Sequence, residues 1–216
     1  MPKIVDRDAR RREIVAAYLR LAARDGIEQA TSRALAAEVG MSTGALWHYF
    51  AGFDEVLSGA FRLVYENTNE RIDERCRGLR GLQALAVMLG EILPMGDVTH
   101  EEALVVVSFW GRVPTNPDLA LFEEVVESQW LERMRGHLDE AVADGVLVPH
   151  APLAELTDLL LVVAMGQQVE HVLRSGVAEP SRQWGLVRVC LEPWLSAEGR
   201  AAGVLPAGPG PAAARP

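Results

Sequence analysis

The chain has 216 residues, 49% of them hydrophobic, with 30 acids against 21 Lys and Arg and a formal net charge of −9. That is enough apolar material to bury one large core or two smaller ones, which excludes a disordered chain, and the acidic balance argues against a protein that coats nucleic acid without selectivity. Charge is uneven: residues 1–50 hold eight Lys and Arg against six acids, while the remainder holds thirteen against twenty-four, so a mildly basic front and an acidic body suggest two tasks in one chain.

Helical periodicity runs almost throughout. In RREIVAAYLRLAARDG, residues Ile14, Val15, Tyr18, Leu21 and Ala22 return on one face, and Gly26 ends the helix. TSRALAAEVG reads as a short second helix, capped by Thr31 or Ser32 and stopped by Gly40. Ser42 is placed to cap a third, roughly 43–49. A fourth starts after Gly52, with Asp54 and Glu55 complementing its dipole, and runs to about 77. Residues 79–93 form a helix broken by Pro94, and Thr99 and Glu102 have capping-box spacing ahead of ALVVVSFWGRV. Asn116–Pro117 opens a long helix that ends near Gly145. Pro152 opens another, ending at Gly176, and Pro180 opens the last, through Leu195. The closing GVLPAGPGPAAARP reads as part of a disordered tail. The expected fold class is all-α, with about nine helices and no hairpin signal.

The segment GMSTGALWHYF, residues 40–50, crowds Trp47, His48, Tyr49 and Phe50 beside small residues. Two short helices joined by a tight Gly-containing turn make a helix-turn-helix pattern, whose second helix enters the major groove N-terminus first. Thr43, Gly44 and Ala45 then allow close approach to base edges. Leu46 and Phe50, four apart, share a face that packs against Leu35, Val39 and the first helix. Trp47 and His48 fall on other faces, where their N–H donors can reach phosphates and their rings can cover sugars or a thymine methyl. Tyr49 is divided between the core and DNA.

The stretch TSRALAAEVGMSTGALWHYFAGFDEVL resembles the DNA-binding domain of the TetR family of bacterial one-component regulators, over about residues 8–65. The resemblance implies a homodimer on a palindromic double-stranded DNA operator, a repressor in its simplest form, and a helical C-terminal domain that binds a small-molecule effector and releases the DNA. By position it implies DNA contacts from Ser32, Arg33, Ser42, Thr43, Gly44, Trp47, His48 and Tyr49, with Arg33 suited to a guanine through its bidentate fork. It implies a helix-turn-helix domain at 1–52, a connecting helix at 53–78 that tilts when ligand binds, a ligand-binding and dimerisation domain at 79–196, and a tail at 197–216. One position departs from the pattern: where many members place a phosphate-binding Lys, this chain has Phe53. Either Arg10, Arg11 and Arg12 compensate, or affinity is modest. The stretch ALVVVSFWGRVPTNPDLALFEEVVESQW is similar to the ligand domains of the branch that includes choline-responsive betaine-pathway repressors, without choline itself being carried over.

Pliable and aromatic side chains in the body, Met88, Met95, Phe109, Trp110, Phe122, Trp130, Met134 and Met165, are candidates for an apolar effector pocket, with ordinary core as the alternative. Trp110 and Trp130 would suit a cation through their ring faces. In LLLVVAMGQQVEHVL the polar Gln167, Gln168, Glu170 and His171 follow an apolar run, where burial needs partners. They reach either a ligand or, the preferred reading, a dimer interface. LTDLLLVVAMG is apolar nearly all round, so the last two helices are expected to form a four-helix bundle with a second copy.

No HExxH, CxxC pair, phosphate loop or GxSxG occurs, and the histidines show no metal-ligand spacing, so neither an enzyme nor a metal or cofactor site is expected. The rivals are an architectural DNA binder without effector, disfavoured by the acidic body, and behind it an all-α small-molecule enzyme. Two lone cysteines, Cys76 and Cys190, suggest a reducing compartment. With no charged-then-apolar leader, and the longest apolar run (Leu159 to Met165) too short to span a bilayer, a soluble cytoplasmic protein without a membrane partner is expected.

Overall fold

The computed structural model describes residues 7–203 and Leu205, and over these the fold is all-α. Ten helices follow one another: α1 Arg7–Asp25, α2 Ser32–Glu38, α3 Thr43–Leu46, α4 Phe53–Arg75, α5 Gly81–Ile92, α6 Asp97–Trp110, α7 Pro117–Ala143, α8 Leu153–Val172, α9 Pro180–Leu191 and α10 Ala197–Ala201. They group into two compact units. The first holds the chain up to Asn67 together with Glu101–Leu121, and the second holds Thr68–His100 and the chain from Phe122 onward.

The first unit is built on α1, whose Ile14, Val15, Tyr18 and Leu21 are buried at helical spacing. Thr31 caps α2 by accepting from the Ala34 N–H at 3.3 Å, and Ser42 caps α3 by accepting from Ala45 N–H at 3.1 Å. Between them Gly40 takes φ +69°, a left-handed turn that any Cβ would strain. The C-terminal part of α6 also belongs to this unit: Phe109 stacks on Phe61 of α4 with ring centroids 3.9 Å apart, and Arg112 pairs with Asp54 at 2.7 Å.

The second unit has one core, drawn from Ile72 of α4, Leu82, Leu85, Met88 and Leu89 of α5, Met134 and Leu138 of α7, Leu156 and Leu160 of α8, and Trp184 and Val187 of α9. Glu91 is buried and paired with Arg71 at 2.8 Å and with Arg75, which ties α5 to the far half of α4. Both cysteines are free. Among the described residues no single helix is long and apolar enough to cross a membrane.

Several boundaries differ from expectation for local reasons. The third helix ends at Leu46 rather than Tyr49, because the chain tightens into a turn with bonds from the His48 N–H to Ala45 O and from the Tyr49 N–H to Leu46 O. Thr99 and Glu102 do not frame a capping box. The helix begins at Asp97, and the Thr99 hydroxyl oxygen accepts from the Met95 and Gly96 N–H groups from inside the first turn. The helix opened by Pro152 stops at Val172 rather than Gly176, with Arg174 in the left-handed region at φ +57°.

The tail expected from 197 begins as α10. Ser196 caps it, and the chain leading into it is held by Val148 N–H to Trp194 O and Ser196 N–H to Val146 O. Gly199 is needed there, since a Cβ would collide with the Val146 carbonyl. Residue 204 and residues 206–216 of the expected tail lie outside the described residues.

Candidate nucleic-acid interface and effector region

The turn between α2 and α3 sorts its side chains sharply. Leu46 and Phe50 are buried, the Phe50 ring under Arg11 of α1, whereas Arg33, Ser42, Gly44, Trp47 and His48 are exposed and Ser32, Thr43 and Tyr49 half-exposed. Trp47, at 38% exposure, is a large ring left in solvent beside the buried Leu46 and Phe50. The Ser42 hydroxyl accepts a bond from Ala45 N–H, which leaves its own proton for an outside acceptor.

The arginines of the first unit divide into two sets. Arg7 donates to the His48 carbonyl at 3.1 Å, Arg10 to the Val39 carbonyl at 3.1 Å, and Arg11 to the Tyr49 carbonyl and to Glu55 at 2.5 Å. Arg24 is bound by Asp25 and Glu38. Among the described residues no hydrogen bond or ion pair holds the guanidinium of Arg12, Arg20 or Arg33. Of the three arginines offered as one way to make up for the missing phosphate contact, only Arg12 has no hydrogen bond or ion pair on its guanidinium among the described residues. Arg10 and Arg11 serve the protein's own backbone, a use that sequence spacing cannot display because the carbonyls lie 29 and 38 residues away.

Phe53, the residue that departs from the resembled pattern, is half-buried and meets the Tyr18 ring edge-on at 5.7 Å. Burial drives the Tyr18 hydroxyl up to about 12, against a smaller opposing pull from Arg112. A groove of about 300 Å³ runs along α1 and α4, lined by Arg11, Arg12 and Arg62 over Val15, Phe50 and Leu63.

The side chains singled out for an effector are spread over both units. Phe109 and Trp110 belong to the first, where Phe109 is buried against Phe61. Met88 and Met134 have no exposed surface and sit in the core of the second unit. Phe122, Trp130, Met165 and His171 are half-buried there, and the Trp130 indole N–H donates to Asn69 at 3.4 Å. His171 stacks on His100, centroids 4.3 Å apart. Burial and the neighbouring His100 hold the His171 imidazole below its ordinary pKa.

Gln167 and Gln168 turn inward, on the face of α8 that carries Leu160 and Ala164. The preferred reading of these two glutamines as interface residues is thus reversed by helical register. The outer face of α8 carries Leu159, Val162, Val169 and Leu173, all exposed.

Sequence spacing did not mark Gln183, which joins the inward pair from α9. Gln168 donates to the Ile92 carbonyl at 2.5 Å, and Gln183 to the Pro94 and Ala178 carbonyls at 3.0 and 2.6 Å. A backbone carbonyl can only face the NH₂ side, so the orientation of both amides is set by chemistry. Their oxygens, with that of Gln167, are buried acceptors with no partner among the described residues.

A family model described as bacterial regulatory proteins, tetR family, matches residues 14–60, and one described as BetI-type transcriptional repressor, C-terminal, matches residues 82–195. The HTH-type transcriptional regulator PksA of Bacillus subtilis (strain 168) is 38% identical over 120 residues, which is 55% of this chain and 58% of the relative. The HTH-type transcriptional regulator BetI 1 of Chromohalobacter salexigens is 26% identical over 133 residues, 61% of this chain and 65% of the relative. The match thus spans less than two thirds of the length of these curated relatives. Among solved structures, a transcriptional regulator from Rhodococcus sp. Rha1 superposes with a TM-score of 0.71 at 24% identity, covering 85% of this chain and 95% of that one. One from Saccharomonospora viridis, in complex with choline, has a TM-score of 0.77 at 17% identity, covering 88% and 99%. At these identities the structural likeness speaks for the fold.

Proposed function

We propose, from the premise that this chain belongs to the tetR family of bacterial regulatory proteins and is a transcriptional regulator, that it represses by binding a palindromic operator as a homodimer and releases it when a small molecule occupies its C-terminal unit. The observation that carries the DNA reading is the sorting around α3. Leu46 and Phe50 anchor the turn while Arg33, Ser42, Gly44, Trp47 and His48 stay at the surface. In this reading Thr43 and Gly44 let the turn enter the major groove and Arg33 reads a base edge. Ser32, Ser42, Trp47, His48 and Tyr49 fix the register on phosphates and sugars. Such a regulator works where the chromosome is, in the cytoplasm.

The effector half is supported by the BetI-type match over residues 82–195. The half-buried Trp130, Met165, Phe122 and His171 have apolar and ring surface to offer. The acceptor oxygens of Gln168 and Gln183 favour a ligand that brings hydrogen-bond donors, since each left unmade costs about 1–3 kcal/mol. The exposed apolar face of α8 continues through Leu186 and Val189 of α9 and supports the dimer.

The test is to select a duplex from random-sequence DNA with the full chain, locate the same sequence upstream of its gene, and titrate candidate effectors. The panel begins with choline, the ligand of the Saccharomonospora structure, and with amines and polyols that carry more donors. An effector should raise the melting temperature and weaken the selected duplex by the same coupling energy. Failure to select any sequence would sink the reading.

Phe53→Lys should place a cation near the phosphates and strengthen binding to selected and random duplexes alike, steepening the salt dependence by about 0.9 per protomer. It should also cost roughly 0.5–1.5 kcal/mol of stability through the lost ring contact with Tyr18. Anisotropy titrations over a KCl series, beside thermal melts, check both, and an unchanged slope contradicts the first.

A further inference from the structure

Helix α3 is a single turn of four residues, and the carbonyls that follow it have no next turn to donate N–H groups to them. They are taken up from outside. Arg7 and Arg11, one turn apart on α1, donate to the His48 and Tyr49 carbonyls, and the cationic ends suit the negative end of the short helix.

Arg11 does more than its neighbour. Its other terminal nitrogen lies 2.5 Å from Glu55 Oε1, and its guanidinium carbon stands 4.5 Å from the centroid of the Phe50 ring. The second oxygen of Glu55 accepts from Ala51 N–H at 2.6 Å. Partial burial pulls the Glu55 carboxyl upward, but the Ala51 N–H and the Arg11 guanidinium outweigh it and hold the group low, so it is ionised at neutral pH. Both ends of the loop from Tyr49 to Ala51 are therefore clamped by one ion pair that joins α1 to the first turn of α4.

We propose that Arg11, by bridging the Tyr49 carbonyl to Glu55 across the Phe50 ring, is a positioning residue for DNA recognition that sets the pose of the reading turn without itself touching DNA. The inference rests on the DNA-binding reading above. It goes beyond it by assigning a basic residue of a DNA-binding unit to geometry rather than to phosphate.

The two roles predict opposite signs. A phosphate-binding arginine is weakened by removal and strengthened when a nearby acid is neutralised. A bridge is broken from either side.

The experiment uses the full chain, a duplex selected by the wild-type protein from a random pool, and a scrambled duplex of equal length, titrated over a KCl series. Arg11→Gln and Glu55→Gln should each weaken the selected duplex by about tenfold or more, the equivalent of one base contact. The salt slope should stay as in the wild type, and Glu55→Gln should bind the scrambled duplex at least as well as the wild type does. Val15→Ala, a buried change on α1 outside the bridge, serves as the control for lost stability and should keep the ratio of selected to scrambled affinity.

The proposal is overturned if Arg11→Gln flattens the slope by about 0.9 per protomer and weakens both duplexes together. Tightening of both duplexes by Glu55→Gln, wild-type binding by both variants, or the same loss of selectivity in Val15→Ala at matched melting temperature also overturns it. If Arg11→Gln does not fold, Glu55→Gln alone decides, because only a bridge predicts weaker selective binding on loss of an acid. A wild-type chain that selects no sequence fails at the earlier step and overturns the DNA reading itself.

Discussion

Replacing Val162 and Val189 with glutamate should yield a folded monomer that no longer holds its operator. The two side chains are 64% and 72% exposed, on the outer faces of α8 and α9, so the change costs the single protomer little. Leu159, Val169, Leu173 and Leu186 of the same stretch are exposed as well, apolar surface that a lone protomer leaves in water. In a four-helix bundle with a second copy, each new carboxylate would be buried without a partner at a cost of several kcal/mol, which a weakly held interface does not survive. Loss of the second reading unit then removes the bivalent gain, on the order of 10²–10⁴ in affinity. Light scattering and DNA titration measure the two effects, with circular dichroism showing the helices intact. A dimer that persists in the double variant would contradict the assignment of this face.

The second large effect is expected from Arg33→Ala combined with Thr43→Ala. Arg33 is exposed and, among the described residues, held by no protein partner, in contrast to Arg7, Arg10 and Arg11. A bidentate base contact contributes about 1–3 kcal/mol. Doubled over two protomers and joined by the Thr43 contact, the loss should reach roughly 4 kcal/mol or more, about three decades in Kd on the selected duplex. Scrambled DNA should be bound nearly as before, apart from one lost charge per protomer. Selected-duplex binding equal to that of the wild type would remove the base-reading role of this surface.

Much of the reading unit was legible because its signals are local. Gly40, the caps Thr31 and Ser42, and the Leu46–Phe50 spacing each act within four residues, and each is found where expected. What was not legible depends on residues far apart in the chain. No pattern within RDARRRE tells a structural arginine from a contacting one, because the carbonyls that bind Arg10 and Arg11 are supplied by a turn dozens of residues later.

The helical character of residues 197–201 was missed for a similar reason. A five-residue helix has almost no periodicity, and this one depends on Gly199 fitting beneath Val146 and on a single antiparallel bridge, Leu147 to Leu195. In the effector region, composition suggested polar residues at an interface. The fold turned Gln167 and Gln168 the other way, because a run that is apolar on every side cannot tell an inner face from an outer one.

The brevity of α3 carries a consequence for engineering. A peptide copied from Gly40 to Gly52 would have four helical residues, the Ser42 cap and none of the groups that hold the carbonyl end, so it would be unstructured in water. Sequence preference therefore cannot be grafted as a segment: to move it to another scaffold, α1 with Arg7, Arg10 and Arg11 and the opening turn of α4 must travel with it.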